Sequence, residues 1–221
     1  MKPIWKFRLL ATLIVLFVGT VSIANLTAEL FQPIRAPAPA LGNPQPAPDA
    51  VSAAALAARI APFRQDLKAN DAAMQAETAL SINGPNAASA NEAAQSAVKA
   101  ALKIGPHDAR MWLTLALLQS RANLGDALTA ESLKMSYLTG PNQAELIPAR
   151  LGLVSSINSP SDPDLQELAA GDVRAILTRF VDLRPLLMKA YAHGSVAGRK
   201  LLEDSSKAVD PSFASKLHDA R

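Results

Sequence analysis

The side chains that most often perform chemistry are few in this chain of 221 residues, and their spacing is unfavourable for a site. There is no cysteine, which excludes disulfides, thiolate nucleophiles and cysteine metal sites. The histidines, His107, His193 and His218, are never four residues apart as on a metal-binding helix. The sequence has neither a nucleophile elbow nor a phosphate-binding loop. We therefore predict no catalytic residue, no metal site and no cofactor.

Charged residues also favour a binding protein over an enzyme. Glu203 and Asp204 are adjacent, and neighbouring helical side chains point about 100° apart, so the two carboxylates would not converge. The C-terminal region is locally basic, with acidic residues such as Asp172 interleaved, which indicates a mixed, solvated surface. A patch that contacts anionic lipid or an acidic polysaccharide is the alternative. The basic residues are Arg174, Arg179, Arg184, Lys189, Arg199 and Lys200.

Composition predicts an all-α fold. Hydrophobic residues make up 49% of the chain but aromatic residues only 5%, so much of the apolar count is alanine, the best helix former. Gly-Pro pairs and aspartate-proline starts divide the sequence from residue 50 onward into helical segments. We predict helices near 50–68, 72–82, 89–104, 109–122, 126–138, 143–157, 163–179, 183–193, 196–208 and 211–219.

A repeat is visible in the middle of the chain. Pro106 and Pro141 are 35 residues apart, and each follows a glycine. After Pro106 a large aromatic residue, Trp112, precedes Leu115 and the small Ala116. Upstream of Pro106, three small or apolar residues share one face of a helix: Ala94, Val98 and Ala101.

This pattern resembles the tetratricopeptide repeat, with the match covering about residues 88–138. The sequence departs from the pattern at Gln119, where the motif usually has Tyr. The resemblance implies antiparallel helix pairs stacked as a short solenoid, with Trp112 packed between helices and Ala116 allowing a close helix approach. It also implies a groove that binds a partner, lined by Arg110, Leu113, Leu117 and Ser120 as ligand-contact residues.

A second resemblance is more local. The run Ser136-Tyr-Leu-Thr-Gly-Pro-Asn142, with Leu146-Ile-Pro148 after it, is similar to bacterial envelope proteins encoded near surface-polysaccharide genes. It implies a role in cell-envelope or exopolysaccharide biogenesis.

The N-terminal segment predicts export. Residues 1–8 carry Lys2, Lys6 and Arg8, and they precede the uncharged, apolar residues 9–28. Such one-sided basic charge keeps the tail in the cytoplasm and sends the rest across the membrane. We interpret residues 9–28 as a transmembrane signal-anchor; the alternative is a signal peptide cleaved after Ala24. Without the three flanking charges the rest of the chain is neutral, so we predict no nucleic-acid partner.

A Pro/Ala-rich spacer at 29–49 joins this segment to the helical-repeat domain at 50–221. Its prolines exclude a helix and predict an extended, disordered tether. The leading hypothesis is a single-pass protein of the bacterial inner membrane whose periplasmic domain acts as a scaffold for protein partners in the cell envelope. The alternatives are a small envelope enzyme or its regulatory subunit, a protein secreted after cleavage, or a purely structural spacer.

Overall fold

The structure is a computed structural model that describes residues 3–31, 35–36, 38–40, 43–123, 127–157 and 162–219. Within these ranges every regular element is a helix, as the composition predicts. Several residues lie outside the described ranges: Lys2 of the basic tail, Pro33 and Pro37 of the spacer, and the Ser159-Pro160 pair between the predicted helices 143–157 and 163–179.

The described residues form a succession of α-helices in which the chain turns back repeatedly. Two short 3₁₀ helices, Ala144–Leu146 and Val181–Leu183, lead directly into the helices that follow them. The α-helices are α1 (Pro3–Phe31), α2 (Pro48–Ile60), α3 (Gln65–Ser81), α4 (Ala87–Ile104), α5 (Ala109–Ala122), α6 (Ala127–Thr139), α7 (Ile147–Ser156), α8 (Pro163–Thr178), α9 (Arg184–His193), α10 (Val196–Val209) and α11 (Pro211–Asp219).

Helix α1 is long and apolar enough to cross a membrane. Its segment Trp5–Phe31 has a mean hydropathy of 2.3, and large apolar side chains are exposed along most of the helix. A membrane span and a signal sequence share these properties. The helix is longer than the predicted segment 9–28, because residues 29–31 continue it.

Local sequence signals place most helix starts correctly. Asp108 accepts hydrogen bonds from the backbone N–H groups of Arg110 and Met111, and Asp162 caps α8 in the same way. Asp210 accepts a hydrogen bond from the Phe213 N–H at the start of α11. These caps satisfy donors that the first helical turn leaves without partners.

Helix boundaries differ from the prediction in two places. The predicted helix 50–68 ends at Ile60, because Pro62 interrupts it, and the predicted helix 72–82 is part of α3, which already begins at Gln65 after a turn at 61–64. The predicted helix 143–157 begins as a 3₁₀ turn, and α7 starts only at Ile147 with Pro148 in its first turn. Gln143 rather than Asn142 precedes that 3₁₀ turn, and it makes no side-chain cap.

Two arginines donate hydrogen bonds to the carboxyl-terminal ends of other helices. Arg121 of α5 donates to the carbonyl oxygens of Ala79, Leu80 and Ile82 at the end of α3. Arg150 of α7, which is fully buried, donates to the carbonyls of Ser136 and Gly140 at the end of α6. Both guanidinium groups donate to carbonyls at the end of a helix, where intrahelical partners run out; the Ala79 and Ser136 carbonyls also accept a backbone N–H.

The repeat residues lie in the hydrophobic core. Ala94, Val98 and Ala101 of α4 are buried against α5, where Leu115 and Ala116 are also buried. Trp112 is only half-buried: its ring packs at the edge of this core, and its indole N–H donates to the Pro106 carbonyl at 2.8 Å.

Candidate functional site

The structure separates the four predicted groove residues. Leu113 and Leu117 are 0% and 1% exposed, and they pack against α6 and α7. Ser120 is also buried, and its hydroxyl donates to the Leu117 carbonyl. These three residues are core positions rather than an open groove, because α5 is covered by neighbouring helices on both sides.

Arg110 is the predicted residue that does reach a surface. It is half-buried at the start of α5, and its Nη1 donates to the carbonyl oxygen of Ala36 at 2.6 Å. Burial lowers the pKa of Arg110 from its usual value, an effect opposed by the nearby Asp108, Glu145 and Glu77 carboxylates. A helix side chain thus holds the backbone of the predicted spacer.

The same residue, Ala36, is also held by α3. The backbone N–H of Ala36 donates to Asn70 Oδ1 of α3 at 2.9 Å, and Ala36 is only 3% exposed. Both polar backbone groups of Ala36 are therefore paired with helix side chains. Such pairing of backbone groups does not depend on the side chain that the residue carries.

A second contact holds the segment further along. Asn43 Nδ2 donates to Glu77 Oε1 of α3 at 3.0 Å and to the Ala38 carbonyl at 3.0 Å. Glu77 is buried, and burial raises the pKa of its carboxyl group, whereas the Asn43 hydrogen bond and the Arg110 charge lower it. Pro39 is buried between these two anchor points.

We call the described spacer residues 35–36, 38–40 and 43–47 the docked segment. The prediction of a free tether is wrong for these residues, because they pack on α3 and α5 through hydrogen bonds to Asn70, Glu77 and Arg110. A cavity of about 540 Å³ adjoins this segment. It is lined by polar side chains that include Arg35, Asp66, Asn70, Asp108 and Arg110.

A larger groove of about 720 Å³ runs between α6 and α8. At the rim of this groove, Nζ of Lys134 in α6 forms ion pairs with Asp162 at 3.0 Å and with Asp164 at 2.6 Å. Exposed residues at the other end of α8, Arg174 and Arg179, give that end of the groove positive charge. The groove is open rather than enclosed.

The wall of this groove contains a buried polar cluster. Tyr137 and Asp172 line the groove and are 2% and 4% exposed, and the Arg150 guanidinium lies 4.7 Å from the centre of the Tyr137 ring. Burial raises the pKa of Asp172 to about 6, although the Arg150 charge and the Tyr137 hydroxyl oppose the shift. Within the described part of the chain, Tyr137 Oη and Asp172 Oδ2 lie near each other's residue but make no hydrogen bond of standard geometry.

Sequence reasoning missed this cluster because it grouped Asp172 with surface charges. A signal was present: Leu165, Ala169, Val173 and Ile176 mark the buried face of α8, and Asp172 falls within that face. The same signal was present for Arg150, since the residues three and four positions away on either side are apolar and buried: Leu146, Ile147, Leu153 and Val154.

The chain was compared with models of protein families, with curated proteins and with solved structures. No match was found in any of the three comparisons. The tetratricopeptide resemblance therefore stands on the quoted residues alone.

Proposed function

We propose that the chain is a membrane-anchored interaction protein of the bacterial cell envelope, which binds an extended segment of a protein partner. The binding surface is the face of α3 and α5 that carries Asn70, Glu77 and Arg110. The observation that supports this most directly is the pairing of both backbone groups of Ala36 with Asn70 and Arg110. The docked segment occupies the surface as an intramolecular ligand.

Helix packing supports a solenoid of tetratricopeptide type for the domain. Helices contact their neighbours and also the helix two positions further on: α3 contacts α5, α5 contacts α7, α6 contacts α8 and α8 contacts α10. Stacked pairs of this kind form extended surfaces suited to peptide binding. In this proposal Arg110 keeps the ligand-contact role that the resemblance implies, whereas Leu113, Leu117 and Ser120 of the same set are buried in the core.

The proposed location is the inner membrane, with the domain in the periplasm. Lys6 and Arg8 lie in the first turns of α1, and the uncharged residues that follow extend for about 20 positions, enough for one span. Cleavage after Ala24 would leave Ala28 and Glu29 on the domain, so the contacts of those two residues with α2 and α3 are compatible with either fate. We favour the anchor because large apolar side chains stay exposed along α1 from Leu9 to Leu26, a stretch longer than the apolar region of a signal peptide.

Peptide binding in trans tests the proposal. In the full chain, residues 35–47 are replaced by a Gly/Ser linker of equal length, which leaves the surface open. A fluorescent synthetic peptide with the sequence of residues 33–48 should then bind, and fluorescence anisotropy should give a saturable titration. Arg110→Ala in the same background should weaken binding at least tenfold, because a charged hydrogen bond to the peptide is lost.

Two controls make the result specific. Arg174→Ala removes an exposed arginine from a different face and should leave the titration unchanged. The parent chain, with its docked segment in place, should bind the peptide more weakly than the linker variant. Absence of binding to the linker variant, with its helical circular dichroism intact, would show that this surface does not bind peptides.

An enzyme is the second candidate, and one observation favours it. Asp172, with its pKa raised to about 6, lines an open groove beside the Tyr137 hydroxyl, a combination suited to proton transfer near neutral pH. An open groove with a charged rim nevertheless suits a macromolecular partner better than a small substrate, which is usually enclosed. We therefore place binding first.

A further inference from the structure

We propose that the turn between α2 and α3 is a second membrane contact, in which Phe63 enters the interfacial layer of the lipid bilayer. This inference rests on the proposed anchoring by α1. It assigns a lipid-binding role to residues 61–64, which neither peptide binding nor the fold requires.

The end of α1 is joined to this turn by direct contacts. Ala28, which is fully buried, packs against Ala57 and Ala58 near the end of α2 and against Ala61 in the turn. One residue further along α1, Glu29 Oε2 lies 2.7 Å from Nη1 of Arg64. These contacts hold the turn at residues 61–64 next to the end of the uncharged part of α1.

Phe63, in this turn, exposes a large apolar side chain, and contact of that surface with water is unfavourable. Its side chain is 93% exposed, and its neighbour Pro62 is also exposed. On the α1 side of the Glu29–Arg64 ion pair, Leu30 and Phe31 are 79% and 48% exposed. Each partner of the ion pair thus has exposed large apolar neighbours. Aromatic side chains beside the end of a membrane-spanning helix are typical of the membrane–water interface.

The charges around the turn agree with a bilayer surface as the occupant. Arg59 lies in the last turn of α2 and is exposed, and Lys68 lies in the first turns of α3. Arg64 is engaged by Glu29 and Asp66, and these contacts hold its pKa above the usual value. Basic side chains beside an exposed aromatic ring complement anionic phospholipid headgroups.

Because the chain has no cysteine, single spin labels can test the proposal. We would prepare Phe63→Cys, Val15→Cys and Val196→Cys in the full chain, attach a nitroxide and reconstitute each protein in phosphatidylethanolamine–phosphatidylglycerol vesicles. Val15 lies in the middle of α1, whereas Val196 begins α10 and is 78% exposed. Collision rates with oxygen and with a water-soluble nickel complex then report the depth of each label.

We expect the labels at positions 15 and 63 to collide more with oxygen than with nickel, with position 63 shallower, and the label at position 196 to behave as in water. A lipid signal at 15 with a water signal at 63 would overturn this inference and leave the anchor intact. A water signal at both 15 and 63 would overturn the anchor, and this inference with it. If position 196 gave the same lipid signal as 63, contact would be unspecific and the assignment to the turn wrong.

Discussion

At the scale of single residues, the interior of this protein carries unusual polar groups. Arg150, Tyr137 and Asp172 come from three helices and meet under a groove, where desolvation disfavours both charged partners. Arg150 offsets part of its cost through hydrogen bonds to Ser136 and Gly140. The carboxyl group of Asp172 has less compensation, and its pKa is raised accordingly.

The raised pKa of Asp172 predicts a particular dependence of stability on pH. The folded chain holds this proton up to about pH 6, whereas the unfolded chain releases it near pH 3.9. The contribution of this group to the free energy of unfolding is therefore full below about pH 4 and is lost as the pH rises through 6. The loss is at most roughly 3 kcal/mol, at 1.36 kcal/mol per pKa unit.

Urea titrations of the parent chain and of Asp172→Asn between pH 4 and 7 measure this dependence. Other carboxyl groups contribute to both curves, so the difference between the two proteins isolates Asp172. We expect the parent to lose stability relative to the variant as the pH rises from about 4 to 6. Parallel curves would mean that Asp172 has an ordinary pKa and is hydrated.

At the scale of helices, α7 and α10 approach each other closely. Gly198 of α10 lies against the backbone of α7, and a Cβ atom placed on it would be 2.0 Å from the Ser155 carbonyl oxygen. The same carbonyl accepts the N–H of Ser195, whose hydroxyl donates to the Ile157 carbonyl. The end of α7 and the start of α10 therefore form one hydrogen-bonded junction.

This junction predicts opposite effects for two Gly→Ala substitutions. Gly198→Ala should destabilise the domain by about 2 kcal/mol or more, because backbone must move to admit the methyl group. Gly152→Ala, in α7 with open space around its Cα, should instead raise stability by roughly 0.5–1 kcal/mol through helix propensity. Thermal melts of both variants measure the contrast, and a Gly198→Ala melt equal to that of the parent would contradict the close approach.

Helices and their caps were predictable from the sequence because their causes are local. Asp162 and Pro163 are neighbours, and a cap followed by proline starts a helix wherever it occurs. The docked segment was not predictable, because the spacing of prolines indicates only the local backbone conformation and says nothing of contacts with distant residues. The contact that holds Ala36 comes from Arg110, 74 residues away, and no local pattern reports it. Leu113 and Leu117 were wrongly predicted to line a groove for a related reason. The register of a single repeat does not show which other helices pack against that side of α5.

At the scale of the whole molecule, the proposed topology is an inference from charge. Lys6 and Arg8 lie in the first turns of α1, and Glu29 follows its uncharged stretch. Alkaline phosphatase fused after the last residue, Arg221, should therefore be active in bacterial cells, since this enzyme folds only in an oxidising compartment. Exchanging Lys6 and Arg8 for glutamate should reduce that activity. Activity of a cytoplasmic reporter at the same position, with an inactive phosphatase, would reverse the proposed orientation.

The docked segment also has a consequence for affinity. If it occupies the peptide site, a partner binds only the fraction of molecules whose site is open, and its apparent dissociation constant rises by the inverse of that fraction. An open population of about 1% would weaken binding roughly a hundredfold without any change in the site itself. Substitutions at Asn43, which holds the segment to Glu77 but lies apart from the Ala36 contacts, would then tune affinity through this population. The strength of partner binding would be set within residues 35–47, by a competitor that can never diffuse away.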